Sequence, residues 1–233
     1  MLDGLRLLNM KLNRPRSTII SQPTTITKCN PMNVFIHCAG EQVRWLGSES
    51  KHLVDINGVP LLGRTIDQVL RFGNIQPSSI SVLARNDTDY RDFCYGRYVH
   101  RLVVGDTANG CSTMLDTESL WDDRTIILLG DVYFTDITIK QILDYRGRFC
   151  IWWDRQDVFA ASWGQDSNWM MRLLLESKKF TSFSHMVNVL WSFGDQPGYG
   201  VCQDVCDQTQ DFDTLDDYDR FLCGKSKNHL FDR

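Results

Sequence analysis

Short apolar segments alternate with amphipathic segments of helical period over the first two thirds of the chain. Runs typical of buried strands lie at residues 33–38, 79–85, 101–105 and 124–131. A segment with helical spacing follows each of them, and the clearest spans residues 60–73, where Leu61, Leu62, Ile66, Val69 and Leu70 share one face. Strand–helix alternation of this kind predicts a three-layer α/β/α domain with a mainly parallel, twisted sheet.

The rhythm changes after residue 148. Residues 149–155 and 159–163 have strand character, and residues 167–180 have helical spacing. Two further apolar segments, 185–193 and 199–205, predict a small antiparallel extension of the sheet. Because no Pro/Gly/Ser-rich linker separates the halves, we expect one domain over residues 32–225 and a tail at 226–233.

Charge is distributed unevenly along the chain. Residues 1–31 contain five basic side chains and one acidic side chain, and they are rich in Ser, Thr, Asn and Pro without sustained periodicity. Since the formal net charge is −4 in all, the remaining residues carry −8. We therefore expect residues 1–31 to form a basic, flexible N-terminal extension, although a targeting peptide has a similar composition.

Composition excludes several classes of function. No apolar run approaches the roughly 18–20 residues needed to cross a bilayer, so no membrane partner is expected. The acidic balance argues against a general nucleic-acid-binding protein. The eight cysteines form no CxxC pair, which favours reduced thiols in a cytoplasmic protein.

The loop after the first strand is the first candidate site. Ligands of parallel α/β sheets bind beyond the carboxyl ends of the strands, and residues 39–51 occupy such a position. Backbone N–H groups of a glycine-containing loop can bind phosphate oxygens, and Arg44 and Lys51 add positive charge. The same residues also fit a surface loop with two solvated cations, so the local sequence leaves both interpretations open.

Two acidic motifs are the other candidates. Asp131 directly follows the most apolar strand, where a carboxylate can bind a divalent cation but can equally be a turn residue. Near the C-terminus, Asp211 and Asp213 alternate along an extended segment before a helix that begins at Thr214 or Asp216. Acidic residues at this position also stabilise a helix N-terminus, so neither motif is decisive alone.

Together these motifs resemble the nucleotidyltransferase superfamily, which includes sugar-phosphate nucleotidylyltransferases, cytidylyltransferases and MobA-like guanylyltransferases. Residues 38–44 are similar to its A-A-G-x-G-x-R loop, which a lysine follows, here Lys51. Residues 58–66 resemble G-x-P-L-L-x-R-T-I, residues 127–134 resemble its strand ending in Gly-Asp, and residues 212–221 resemble D-T-P-E-D-Y. The resemblance covers residues 33–222 and implies a Rossmann-like fold of GT-A type.

Three positions depart from the family pattern. Gln42 replaces the second loop glycine, so a side chain stands where backbone often approaches the phosphates. Val132 and Leu215 stand where the family has proline. Gln42 either contacts the nucleotide itself or weakens activity by remodelling the loop.

The resemblance implies a role for each matching residue. Arg44 and Lys51 would be catalytic, neutralising charge on the triphosphate, and Asp131 and Asp213 would bind Mg²⁺. The nucleotide-binding residues would be the loop backbone and the stretch expected to read the base, namely Ala39, Gly40, Glu41, Gln42, Gly110 and Ser112.

The implied function is the transfer of a nucleoside monophosphate from an NTP to a phosphorylated small molecule, such as a sugar phosphate, with release of pyrophosphate. The partners are thus an NTP and that acceptor, and a homodimer stays open. One alternative is a GT-A glycosyltransferase that uses a nucleotide sugar, but its usual Asp-x-Asp is absent because Val132 and Tyr133 follow Asp131. The other alternative is a catalytically degenerate nucleotide-binding protein.

Overall fold

The computed structural model describes residues 31–39, 44–47, 50–85, 90–104, 110–154, 157–169, 171–172 and 201–224. The expected extension lies outside these residues apart from Pro31, and so does the tail at 226–233. The domain boundaries that we assign to them therefore stay predictions.

A seven-stranded sheet forms the centre of the described chain. Across all sheets, the described residues form eleven strands, namely β1 (Met32–His37), β2 (Asp55–Ile56), β3 (Val59–Pro60), β4 (Ile80–Ala84), β5 (His100–Val103), β6 (Arg124–Leu129), β7 (Val132–Tyr133), β8 (Phe149–Trp153), β9 (Val158–Gly164), β10 (Val201–Asp204) and β11 (Gln210–Asp211). The order in the large sheet is β10-β8-β9-β6-β1-β4-β5, while β7 pairs with β11 and β2 pairs with β3. Strands β4 and β6 are apolar and almost wholly buried, as parallel strands covered on both faces are.

Within the part of the chain that the structure describes, one strand of the large sheet runs against the others. Strand β9 is antiparallel to both of its neighbours, β6 and β8, whereas the other pairings are parallel. The expectation that residues 199–205 extend the sheet in the antiparallel direction is wrong, because Val201–Asp204 runs parallel to β8. A short connection joins β8 to β9 as a hairpin. Strand β10 pairs with the other edge of β8, so β9 and β10 also run in opposite directions. The expected strand at 185–193 lies outside the described residues.

Helices cover both faces of the sheet. They are α1 (Leu61–Gly73), α2 (Arg91–Tyr95), α3 (Gly110–Leu115), α4 (Asp136–Asp144) and α5 (Leu215–Leu222). Helices α1 and α4 pack together in one apolar cluster, whereas Met114 of α3 belongs to the cluster on the other face. The predicted three-layer α/β/α architecture is confirmed.

Local sequence explains where these helices begin and end. Pro60 directly precedes α1 instead of forming its first residue, and Asn74 ends it in the left-handed conformation with φ 47°. At the end of α4 the buried Arg124 donates to the carbonyl oxygens of Leu143 and Ile142, both at 2.6 Å. A cation at this end also interacts favourably with the negative end of the helix dipole. Arg124 therefore holds the C-terminal end of α4 against the sheet. Among the described residues, no helix has the length and apolar character to span a bilayer.

Candidate active site

A buried ion pair lies at the carboxyl end of β6. Lys51 begins a short 3₁₀ turn, Lys51–Leu53, and Asp131 follows β6 after one glycine. The Lys51 ammonium donates to Oδ2 of Asp131, and the two side chains are only 9% and 18% exposed. The first loop and the Gly-Asp motif therefore meet, as the resemblance implied.

The electrostatics of this pair keep both groups charged. Burial disfavours the charge on Lys51, but the charge and hydrogen bond of Asp131 outweigh it and raise the pKa of Lys51 above its ordinary value. Burial also opposes ionisation of Asp131, but the Lys51 ammonium lowers the pKa of that carboxyl below its usual range. The pair thus provides a fixed positive charge beside a fixed carboxylate.

Two further carboxylates join Asp131. Strand β11 pairs with β7 so that Asp211 stands opposite Val132, and the Phe212 N–H donates to the Asp131 carbonyl at 3.1 Å. One carboxylate oxygen from each of Asp131, Asp211 and Asp213 lies within 4.8 Å of the others. Strand periodicity places Asp211 and Asp213 on the same side of the chain, which accounts for the convergence.

The three carboxylates fit a divalent cation. Oδ1 of Asp211 is buried without a hydrogen-bond partner among the described residues. Burial and then the neighbouring carboxylates Asp131 and Asp213 raise the pKa of Asp211 well above its usual range. Carboxylate oxygens are the ligands that Mg²⁺ prefers, and a bound cation would both satisfy the buried oxygen and offset the mutual repulsion.

A second ion pair involves another carboxylate of this cluster, Asp213. Arg44 contacts Oδ1 of Asp213 at 2.7 Å, and its side chain is 69% exposed, in contrast to the buried Lys51. The adjacent Trp45 is buried against Val54, Ile56, Leu61 and Phe212, with its ring edge-on to Tyr218 at 6.3 Å. This apolar cluster ties the first loop to the C-terminal acidic motif.

The C-terminal motif is held by its own helix. Thr214 forms a capping box with Asp217 at the start of α5, so the helix begins at Leu215, one residue after the first of the two predicted positions. Tyr218 of α5 donates to the carbonyl oxygen of Asp55 at 2.6 Å. These contacts fix the backbone on both sides of Asp213.

The structure brings together four of the predicted site residues, namely Arg44, Lys51, Asp131 and Asp213. Ala39 lies buried just beyond β1, in the same apolar cluster as Met114 of α3. Gly110 and Ser112 lie in the first turn of α3, which follows β5 in the chain. Their role in reading the base stays a prediction. Gly40, Glu41 and Gln42 lie outside the described residues.

Three residues of the site were not assigned a role from the sequence. Asp211 was visible in the alternating Asp-Phe-Asp pattern, which is a signal for two carboxylates on one side of a strand. His52 and Tyr90 gave no such signal, and their contact joins loops 38 residues apart. His52 is fully buried, and burial lowers its pKa to about 4, so the ring is neutral at pH 7.

Gly130 is required by close packing at this site. A Cβ on Gly130 would lie 2.4 Å from the Sγ of Cys38 and 2.9 Å from the carbonyl oxygen of His37. Real side chains do not approach so closely, so the glycine before Asp131 lets β6 reach the end of β1.

No family model matches the chain. Among curated proteins, it is similar to the bifunctional protein GlmU of Neisseria meningitidis serogroup C (strain 053442), with 30% identity over 125 residues. The match covers 51% of this chain and 26% of that protein. The same protein from N. meningitidis serogroup B (strain MC58) is 29% identical over a match of the same length. The chain thus spans about a quarter of the length of these relatives.

Solved structures share the fold over most of the chain. CTP:phosphocholine cytidylyltransferase from Streptococcus pneumoniae matches with a TM-score of 0.62 and 14% identity, over 82% of this chain and 97% of that one. A putative glucose-1-phosphate thymidylyltransferase from Bacillus anthracis matches with a TM-score of 0.61 and 12% identity, over 84% and 96%.

The chain has the nucleotidyltransferase fold. Rv0371c from Mycobacterium tuberculosis also shares this fold, with a TM-score of 0.60 and 18% identity over 83% of this chain and 97% of that one. The fold class predicted from the sequence is confirmed. In this nucleotidyltransferase fold, the two ion pairs and three carboxylates lie beyond the carboxyl ends of β1 and β6, where parallel sheets bind ligands.

Proposed function

We propose that the protein is a Mg²⁺-dependent nucleotidyltransferase that transfers a nucleoside monophosphate from an NTP to a phosphorylated small molecule, with a sugar phosphate as the leading acceptor class. The observation that carries this proposal is the convergence of two cations with three carboxylates in a nucleotidyltransferase fold. In the reaction, an oxygen of the acceptor phosphate attacks the α-phosphorus while the bond to pyrophosphate breaks.

The cation would be held by Asp131, Asp213 and, in addition to the two residues predicted from the sequence, Asp211. A bound Mg²⁺ would offset the negative charge of the phosphate oxygens. Because the side-chain oxygens already converge, little reorganisation of the protein is needed to receive it.

Lys51 and Arg44 would serve the triphosphate differently. The buried Lys51 is fixed by Asp131 and provides a preorganised charge where negative charge develops on the α-phosphate. The exposed Arg44 can leave Asp213 at little cost, since exposed ion pairs contribute about 0–1 kcal/mol, and can follow the departing pyrophosphate.

The reaction is tested by measuring pyrophosphate release from each of the four NTPs with Mg²⁺, using glucose 1-phosphate and phosphocholine as first acceptors. These acceptors are named in the solved structures that share the fold. We expect Lys51→Ala and Asp131→Asn each to lower kcat by about 100-fold or more, as loss of one preorganised charge does. Arg71→Ala removes a remote cation and should leave kcat unchanged.

Four outcomes would contradict the proposal or a part of it. No binding of any NTP at millimolar concentration with Mg²⁺ would overturn the function. Hydrolysis of a nucleotide sugar without pyrophosphate exchange would favour a glycosyltransferase, and tight NTP binding without turnover would favour a degenerate binding protein. Full turnover by Lys51→Ala would remove the role of that lysine.

We also propose that the protein is cytoplasmic. Six cysteines of the described chain are free thiols, three of them buried, as expected in a reducing compartment. Fractionation of cells that express the intact chain tests this placement.

A further inference from the structure

A partly buried, hydrogen-bonded triad of Ser50, His52 and Tyr90 lies next to the Lys51–Asp131 pair, since Ser50 and His52 are the chain neighbours of Lys51. Nδ1 of His52 is 2.8 Å from the hydroxyl oxygen of Tyr90, and the Ser50 hydroxyl oxygen is 2.6 Å from that same atom. The Ser50 hydroxyl oxygen also lies 3.0 Å from His52 Nδ1. The rings of His52 and Tyr90 meet edge-on at 6.1 Å, so the histidine is held by both packing and hydrogen bonding.

The triad residues come from two loops that follow two strands, and the His52 ring contacts a third loop. Ser50 and His52 flank Lys51 in the connection after β1, and Tyr90 lies after β4, directly before α2. The His52 ring also reaches the end of β6, because a Cβ on Gly130 would lie only 3.1 Å from its Cδ2 atom. His52 therefore contacts the residue before Asp131 while being the residue after Lys51.

We propose that His52, held by Tyr90, is a positioning residue that keeps the Lys51 ammonium aligned with Asp131 and with the nucleotide. This role rests on the proposed function of Lys51. No direct contact of His52 with substrate is required, since the ring acts through the backbone on which Lys51 and Asp131 are carried.

The chemistry of the triad suits this role. An imidazole is flat enough to fit against Gly130, and its Nδ1 can form a hydrogen bond with the Tyr90 hydroxyl, which also bonds the Ser50 hydroxyl. Because the His52 imidazole is neutral, it adds no positive charge beside the Lys51 ammonium. A phenylalanine would fill the same space but lose the link to Tyr90.

The test is a double-mutant cycle on kcat. Because a misplacement of about 1 Å can lower a rate about 100-fold, we expect His52→Phe to lower kcat 10- to 100-fold in the otherwise unchanged protein. In a Lys51→Ala background the same substitution should change kcat by less than about twofold, because its effect passes through the lysine. Equal losses in the two backgrounds would overturn the proposal.

Tyr90→Phe should reproduce a part of the His52→Phe loss. Tyr145→Phe is the matched control, since it also removes one tyrosine hydroxyl bond, to the carbonyl oxygen of Phe149 at 3.0 Å, but far from the site. Equal effects of the two tyrosine variants on kcat would contradict a positioning role for Tyr90.

A second measurement does not depend on turnover. Buried and ion-paired, the Lys51 ammonium should give a slowly exchanging signal in ¹H–¹⁵N NMR of the protein without nucleotide, identified by its loss in Lys51→Met. We expect the signal to broaden or disappear in folded His52→Phe, and an unchanged signal would overturn the proposal. If the unmodified protein turned over no NTP, the proposed function would fail while this measurement still decided the role of His52.

Discussion

Replacing Lys51 by methionine tests the buried ion pair at the centre of the site. Methionine keeps most of the side-chain volume, so the substitution removes the charge without opening a large cavity. Removal of one partner of a buried pair costs about 3–5 kcal/mol, because the other charge is left without compensation. Since Asp131 keeps 18% exposure, we expect a loss at the lower end, about 3 kcal/mol.

The loss should also depend on Mg²⁺. Without lysine, the carboxylates of Asp131, Asp211 and Asp213 face each other with one cation fewer, and a bound divalent ion would replace it. Saturating Mg²⁺ should therefore stabilise Lys51→Met more than the unmodified protein. In EDTA, the expected fall in Tm is about 6–12 °C, taking about 2–4 °C per kcal/mol for a domain of this size.

Urea unfolding followed by tryptophan fluorescence, with EDTA and with Mg²⁺, measures both effects. Arg71→Ala is the control, because the Arg71–Asp136 pair is 3.5 Å long and its side chains are 71% and 52% exposed. That variant should lose less than about 1 kcal/mol. Ordinary surface substitutions change the free energy of unfolding by up to about 0.5 kcal/mol. If Lys51→Met in EDTA has a free energy of unfolding within that range of the unmodified protein, Lys51 and Asp131 do not form a stabilising buried pair.

Three other substitutions test packing and helix capping, at the site and at the opposite end of β6, each by urea unfolding. Gly130→Ala should lose about 2–3 kcal/mol and regain part of it when combined with Cys38→Ala, whereas Gly96→Ala, whose Cβ would meet its nearest atom at 3.4 Å, should be nearly neutral. Thr214→Ala removes the capping box of α5 and should lose about 1 kcal/mol. Arg124→Met removes the side-chain donor to the Ile142 carbonyl oxygen and one of two donors to that of Leu143, which still accepts from Arg146, and should lose about 2 kcal/mol. A neutral result would contradict the role of Arg124 in holding α4 against the sheet.

The sequence was most informative where a local pattern has a single structural meaning. The unbroken apolar run before Asp131 predicted a strand buried on both faces, and hence a carboxylate at its carboxyl end. Alternation of Asp211 and Asp213 likewise predicted two carboxylates on one side of an extended segment. Both patterns depend only on neighbours in the chain.

Strand direction could not be predicted in the same way. The residues of β9 and β10 have similar strand character, and periodicity carries no information on which of them is reversed. The short connection after β8 sets the direction of β9, whereas the direction of β10 depends on its pairing with β8 in the completed sheet.

The contacts that support the site could not be predicted from the sequence either. His52 gains its meaning from Tyr90 and Gly130, which belong to loops after two other strands. In the sequence, nothing distinguishes Trp45 from an ordinary core tryptophan. Its packing against Phe212 and Tyr218 depends on the completed fold. Patterns along one segment cannot report contacts of this kind.

The hydrogen bond from Tyr218 to Asp55 has a consequence for synthesis, because it spans 163 residues. At about 5–20 residues per second, a ribosome needs roughly 8–33 s to add that many residues. Asp131 and Lys51 are thus made well before the segment that brings Asp211 and Asp213 to them. During that interval the nascent chain carries its cationic loop without the acidic motif that completes the site, so the candidate active site cannot assemble until Asp211 and Asp213 have been synthesised.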